Sequence, residues 1–184
     1  MRITGGRLRG QILRCPPSGA VRPTSDRLRE TVFNILLHAY GNPVEGARVL
    51  DVFAGTGAMG LEALSRGASF ALFVEQNVKA CAIIRANILS LGCEGGANVL
   101  KRDACKPGIV PQGEKFGLIF LDPPYGRALA PLALASLRDG GWLAKKALLV
   151  IEEPAGSTVD LPAGFGLRES RRYGTARVMF AAAD

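Results

Sequence analysis

One histidine, one tryptophan and four cysteines in 184 residues leave little room for several common chemistries. Cys15, Cys81, Cys93 and Cys105 are scattered without C-x-x-C spacing, so neither a metal site nor a disulfide framework is expected. Buried thiols in a reducing compartment are the simpler reading. His38, in the apolar run FNILLHAY, reads as a helix-face residue. Without a second histidine, a Ser-His-Asp apparatus would rest on it alone. No apolar run approaches the roughly 18–20 residues of a membrane span. MRITGGRLRG lacks the apolar stretch of a signal peptide, so a cytoplasmic chain with no membrane partner is expected. Internal repeats and low-complexity segments are missing too.

What remains is a globular composition, 48% hydrophobic and 21% charged, at a length suited to one domain or one domain with an appendage. Charge is unevenly spread. Residues 1–30 hold seven arginines (Arg2, Arg7, Arg9, Arg14, Arg22, Arg27 and Arg29) against Asp26 and Glu30. Five of the seven net positive charges therefore sit in that front end. A near-neutral body with a basic leader suggests a polyanionic partner such as nucleic acid, the bland alternative being a solvated terminus. Residues 1–25 read as a separate basic arm, a short hairpin around Gly5-Gly6 or Leu8–Gly10 followed by the linker-like CPPSGAVRP. Residues 26–184 form the main domain.

That domain opens on a helix capped by Thr24 or Ser25, with Leu28, Val32, Phe33, Leu36 and Leu37 at helical spacing up to about Tyr40. From Ala47 the chain alternates. RVLDVF, FALFVE, ANVLK, FGLIFLD and ALLVIEE read as strands; GAMGLEALSRG, VKACAIIRANILSLG and ALAPLALASLRDGG read as helices; two more strands meet near Gly174. This order predicts an α/β sheet with helices on both faces, its strands buried on both sides.

Gly55, Gly57 and Gly60 follow the first strand and open a helix, a G-x-G-x-x-G turn that lets a ligand approach the backbone. Glu75 closes the second strand, where a carboxylate can accept from both hydroxyls of a ribose. Asp51, before the loop, places a negative charge where a ligand ammonium could be held, and Asp103 follows the third strand within reach of an adenine edge. Three acids around one glycine loop favour a cationic nucleoside over a pyrophosphate, which points to S-adenosylmethionine.

Asp122-Pro123-Pro124-Tyr125 ends the fourth strand, and strand carboxyl ends face the ligand crevice in such sheets. Two prolines hold an extended backbone, leaving the Pro123 carbonyl free to accept. With the Asp122 carboxylate and the Tyr125 ring, this suits an exocyclic amine on a stacked nucleobase. A strand stop with Tyr125 in the core is the plain alternative.

The tetrad resembles the (D/N)PPY signature of S-adenosylmethionine-dependent amino-methyltransferases. GGRLRG, RPTSDRLRETVFNIL, LDVFAGTGAMGLEALSRGA, FVE and FLDPPYG together resemble the bacterial 16S ribosomal RNA guanine-N2 methyltransferases of the RsmD type, over essentially the whole chain. RPTSDRLRET is the most specific stretch, and similarity after Glu153 is loose.

The resemblance implies a Rossmann-like class I methyltransferase fold with a seven-stranded, mostly parallel sheet. It implies S-adenosylmethionine over Ala54, Gly55 and Gly57, with Glu75 on the ribose, Asp103 on the adenine amine and Asp51 near the methionyl end. Catalysis then falls to Asp122, Pro123, Pro124 and Tyr125, and RNA contact to Arg2, Arg7, Arg9, Arg22 and Arg27. The implied partner is 16S ribosomal RNA in the assembling or assembled small subunit, met by a monomer without metal. A nicotinamide oxidoreductase would share the glycine loop but leaves the tetrad without a role. A non-enzymatic RNA-binding protein would explain the arginines but not Glu75 or Asp122. An amino-methyltransferase acting on other RNA or on DNA is the nearest alternative.

Overall fold

The computed structural model describes residues 1–16, 25–124, 129–157 and 160–184. Arg22 and Tyr125 lie outside the described residues. Seven strands, β1 (Arg48–Val52), β2 (Phe70–Glu75), β3 (Ala97–Lys101), β4 (Phe116–Leu121), β5 (Leu143–Pro154), β6 (Phe165–Tyr173) and β7 (Ala176–Ala183), form one sheet in the order β3-β2-β1-β4-β5-β7-β6. The first five run parallel, and β7 pairs antiparallel with both β5 and β6. The expected mostly parallel sheet with a closing antiparallel pair is therefore present.

Side-chain alternation along the strands separates two cores. Val49, Phe73, Phe120 and Val150 pack with α1 (Asp26–Ala39), α2 (Ala58–Ser65) and α3 (Val78–Ser90) on one face. Leu50, Val74, Ile119 and Leu149 pack with α4 (Leu129–Asp139) and Trp142 on the other. Helices on both faces follow from central strands whose successive side chains point to opposite sides and are mostly apolar and buried, as in β2 and β4. Helix α1 begins where expected, because the Ser25 hydroxyl accepts from Leu28 N–H at 3.1 Å. Strand β5 starts four residues before the expected ALLVIEE; its pairing with β4 shifts register near Phe116, and Lys146 takes a positive φ of 58°. A bulge of this kind leaves no periodic trace in sequence.

The front end departs most from expectation. Residues 1–13 do form a hairpin, with Ile3 N–H donating to Gln11 O (2.9 Å) and Arg2 bridged to Ile12. It is not a free-standing arm, because Ile3 and Leu13 are buried in the same core as α1 and α2. The hairpin lies along α2. Thr4 and Gly5 N–H both donate to the Glu62 carboxylate at 2.8 Å, and Leu8 N–H donates to Ser65 Oγ at 2.9 Å. Arg29, counted above with the basic leader, is turned fully inward onto Glu62 and Asp26 (3.1 and 2.9 Å), so its charge is spent inside the fold.

Candidate active site

The carboxyl ends of β1, β2, β4 and β5 open into one cavity of about 1140 Å³. Its position follows from topology: β1 leads to β2 on one side and is flanked by β4 on the other, and the crevice at such a reversal takes ligands. Because β7 runs antiparallel with Ala176 opposite Pro154, the β6–β7 turn returns to this same edge and closes the cavity's far side.

One half is built on the glycine loop. Gly55 lines the cavity at φ 57°, and its N–H donates to Glu75 Oε2 at 3.0 Å. The other Glu75 oxygen accepts from Asn77 N–H at 2.8 Å, so the carboxylate is fixed from both sides with lone pairs left over. Asn77 in turn caps α3, accepting from Lys79 and Ala80 N–H (2.9 and 3.1 Å). Ala54 lines the cavity beside Gly55.

Gly57 does not reach the wall. Its φ of 79° turns the chain into α2, and a Cβ there would press to 3.2 Å on both Ile84 and Phe73. Gly57 shapes the loop; Gly55 faces the cavity. Asp103 also stays out of the wall, exposed and accepting from Cys105 N–H at 2.9 Å, while its neighbour Ala104 lines the cavity.

Asp51 is buried at 4% exposure, and its Oδ2 accepts from Gly60 N–H at 2.9 Å in the first turn of α2. Burial, reinforced by the nearby Glu75 charge, pushes its pKa up to about 7 against the Gly60 hydrogen bond. A carboxyl pKa raised by folding stabilises the fold most below the ordinary value of 3.8, and that contribution is lost as pH rises through about 7. The ligand-free protein is therefore expected to lose melting temperature between pH 5 and pH 8. Asp51→Asn, which keeps an acceptor for Gly60, should remove part of this slope. The check is the difference in melting temperature between variant and wild type, which should grow in the variant's favour with pH. A difference independent of pH would mean that Asp51 titrates normally.

The other half is built on β4, β5, α1 and the β6–β7 turn. Half-buried Asp122, buried Pro123 and exposed Pro124 all line the cavity, and Asp122 N–H donates to Val52 O at 3.4 Å. Several lining residues were not singled out from the sequence. Glu152 lies at the end of β5, Leu28 and Thr31 on α1, Tyr173 on β6, and Phe53 after β1. Phe53 adopts φ 60°, a left-handed backbone that bulky residues avoid and that tends to occur at functional sites. Glu152 carried the signal that marked Glu75, a carboxylate ending a buried apolar run.

The arginines divide. Arg27 stands on the cavity wall. Arg2 is exposed with Nε 3.9 Å from Asp26; Arg9 is exposed; and Arg7 reaches Cys93 Sγ with Nη2 at 3.5 Å. The hairpin enters beside the site, where Met1 Sδ accepts from Thr56 Oγ1, but its tip sits at Ser65, the far end of α2. Arg7 and Arg9 therefore do not converge with Arg27. Among the described residues no group of acids, cysteines and histidine is arranged to hold a metal ion, and no helix is long and apolar enough to cross a membrane.

Sheet order, glycine loop and the Asp-Pro-Pro turn define a class I S-adenosylmethionine-dependent methyltransferase fold. The magnesium protoporphyrin IX methyltransferase ChlM of Synechocystis PCC 6803, solved with bound S-adenosylmethionine, shares the fold at TM-score 0.62 and 18% identity, over 86% of this chain and 79% of its own. Within that class the chain belongs to the family described as "conserved hypothetical protein 95", which matches residues 1–182 and includes the RsmD-type enzymes. It is 37% identical to ribosomal RNA small subunit methyltransferase D of Escherichia coli K12, over 95% of this chain and 85% of that one. It is 32% identical to the protein of the same name from Haemophilus influenzae, over 95% and 89%. Among solved structures, YhhF of Escherichia coli aligns at TM-score 0.85 and 33% identity, covering all of this chain and 98% of its own. The protein is a methyltransferase.

Proposed function

We propose that the protein transfers a methyl group from S-adenosylmethionine to the exocyclic N2 of a guanine in 16S ribosomal RNA, within the assembling or assembled small subunit, acting in the cytoplasm as a monomer. The observation that supports this reading is the meeting in one cavity of Gly55 and Glu75 with Asp122 and Pro123. The relatives' names supply the RNA.

The cavity suits the cofactor. Asp51 and Glu75 offer negative charge toward a cation and a ribose, and Val74, Ala80 and Ile83 offer apolar wall for an adenine. Bound there, S-adenosylmethionine supplies a methyl group on a sulfonium. The chain's own part is orientation. A guanine amine is a poor nucleophile because its lone pair is delocalised into the ring. Asp122 and the Pro123 carbonyl accept its hydrogens and fix it in place, and positioning of this kind lowers barriers by up to about 7–11 kcal/mol in intramolecular systems. Arg27 at the wall meets phosphate, which positions the RNA without reading it.

The test is transfer of a tritiated methyl group to naked 16S RNA, small-subunit particles and duplex DNA, followed by nucleoside analysis. Label is expected in RNA, as N2-methylguanosine. Label in N6-methyladenosine, or in DNA alone, would replace this reading with that of another amino-methyltransferase.

A further inference from the structure

Resting on the guanine-N2 reading, we infer that Glu152 is the residue that selects guanine, its carboxylate accepting the ring N1–H beside the amine held by Asp122 and Pro123. Strands β4 and β5 are paired in parallel with Leu121 opposite Ile151, so Asp122 and Glu152 are the next residues on neighbouring strands. Both follow the alternation that places Phe120 and Val150 on the α1 face. Both also line a small pocket walled otherwise by Val32, Met59, Phe120, Leu121, Val150 and Val178, and both line the main cavity. Glu152 thus sets a second carboxylate beside Asp122 on an apolar wall, on the side away from the glycine loop.

Asp122 and Glu152 present carboxylate oxygens along one wall of the cavity, a row of acceptors for contiguous donors. The Watson–Crick edge of guanine has that form: a ring N1–H adjoins the two hydrogens of N2, giving contiguous donors to Glu152, Asp122 and the Pro123 carbonyl. Adenine and cytosine also carry an exocyclic amine, but the ring nitrogen beside it is a bare lone pair. An ionised carboxylate only accepts, so at Glu152 either base would meet lone pair against lone pair. Sites built to hydrogen-bond a substrate N–H reject analogues lacking it by about 10⁴–10⁵. Asp122 serves any amine; Glu152 distinguishes among them.

The test uses 2-aminopurine, which keeps the reacting amine but has a lone pair at N1, and 6-thioguanine, which keeps both amine and N1–H. Each is ligated into small-subunit RNA at the guanine that wild-type protein methylates. Wild-type kcat/KM should be at least a hundredfold lower for 2-aminopurine than for guanine, and within tenfold of guanine for 6-thioguanine. Glu152→Gln can turn its amide N–H toward N1. It should lose at least tenfold on guanine while its 2-aminopurine-to-guanine ratio rises at least tenfold, with S-adenosylmethionine affinity by calorimetry within threefold of wild type. Equal losses on both bases would make Glu152 a structural residue and overturn the inference. Should Glu152→Gln not fold, wild-type turnover of 2-aminopurine within tenfold of guanine would overturn it alone. Failure of the underlying reading looks different: wild-type protein would form no N2-methylguanosine on unmodified RNA.

Discussion

Glu62→Ala is expected to lower the melting temperature by roughly 10 °C or more. Breaking a buried ion pair from one side costs about 3–5 kcal/mol, and a chain of this size loses about 2–4 °C per kcal/mol. Glu62 is fully buried and accepts five hydrogen bonds, from Thr4 N–H and Oγ1–H (2.8 and 2.7 Å), Gly5 N–H (2.8 Å), Arg29 Nε (3.1 Å) and Arg66 Nε (2.8 Å). Removing the carboxylate leaves the fully buried Arg29 guanidinium with Asp26 alone as its ion-pair partner, and unfastens the hairpin from α2. Replacing both ions, as Glu62→Leu with Arg29→Met, should recover part of the loss, since the fully buried guanidinium is removed together with the carboxylate. Recovery should be incomplete, because Thr4, Gly5 and Arg66 still lose their acceptor. Thermal unfolding of the two variants decides it: a Glu62→Ala protein melting within about 2 °C of wild type would show that the network contributes no net stability. The same packing governs how RNA contact can be probed. Deleting the hairpin would strip Ile3 and Leu13 from the core, whereas charge reversal at exposed Arg9 alters the surface alone and reversal at Arg7 also removes its contact with Cys93 Sγ.

Much of this molecule could be read along the chain because its local signals agree with its tertiary structure. FALFVE is a strand at the expected residues because it is an apolar, end-punctuated run buried between helices, and ANVLK is found where expected as the half-exposed edge strand beside it. The cavity lining was legible wherever the end of a strand meets it, as at Asp51, Glu75 and Asp122. What could not be read is what depends on partners distant in sequence. Arg29 looks like one more solvent-facing charge until Glu62, 33 residues later, is brought against it. Asp103 stands outside the cavity lining with its carboxylate accepting from Cys105 N–H, a local turn that its place after β3 does not reveal. Gly57 and Gly60 fit a ligand-binding pattern, yet a Cβ on either would strike Phe73, at 3.2 and 2.4 Å, so helix-to-sheet packing demands them. The left-handed Phe53 has no sequence signature, since only glycine and asparagine advertise that conformation. Tyr173 is invisible for a topological reason, reaching the cavity because an antiparallel pair returns its turn to the sheet edge where the parallel strands end.

Asp122→Ala should cut kcat for methyl transfer by about a hundredfold or more while leaving S-adenosylmethionine affinity within about threefold, because it removes an acceptor from the reacting amine and nothing from the glycine loop. The separation is physical. Gly55 and Glu75 are held by their own hydrogen bonds, Gly55 N–H to Glu75 Oε2 and Asn77 N–H to Glu75 Oε1, and neither involves β4. Asp122 follows β4 and is tied to β1 through its backbone N–H on Val52 O, a bond that alanine keeps, so the main-chain course into Pro123 should persist. What is lost is one of the acceptors that hold the amine; the Pro123 carbonyl alone leaves it free to rotate, and a hundredfold is about 2.7 kcal/mol of barrier. Asp122→Asn retains a side-chain oxygen and should keep partial activity. This ordering, wild type above asparagine above alanine, distinguishes an acceptor from a general base, because a base would be lost equally in both variants. Single-turnover transfer beside calorimetry on the same samples reads both quantities. Wild-type turnover by Asp122→Ala would remove the acceptor role, and a parallel loss of cofactor affinity would move Asp122 into the cofactor half of the cavity.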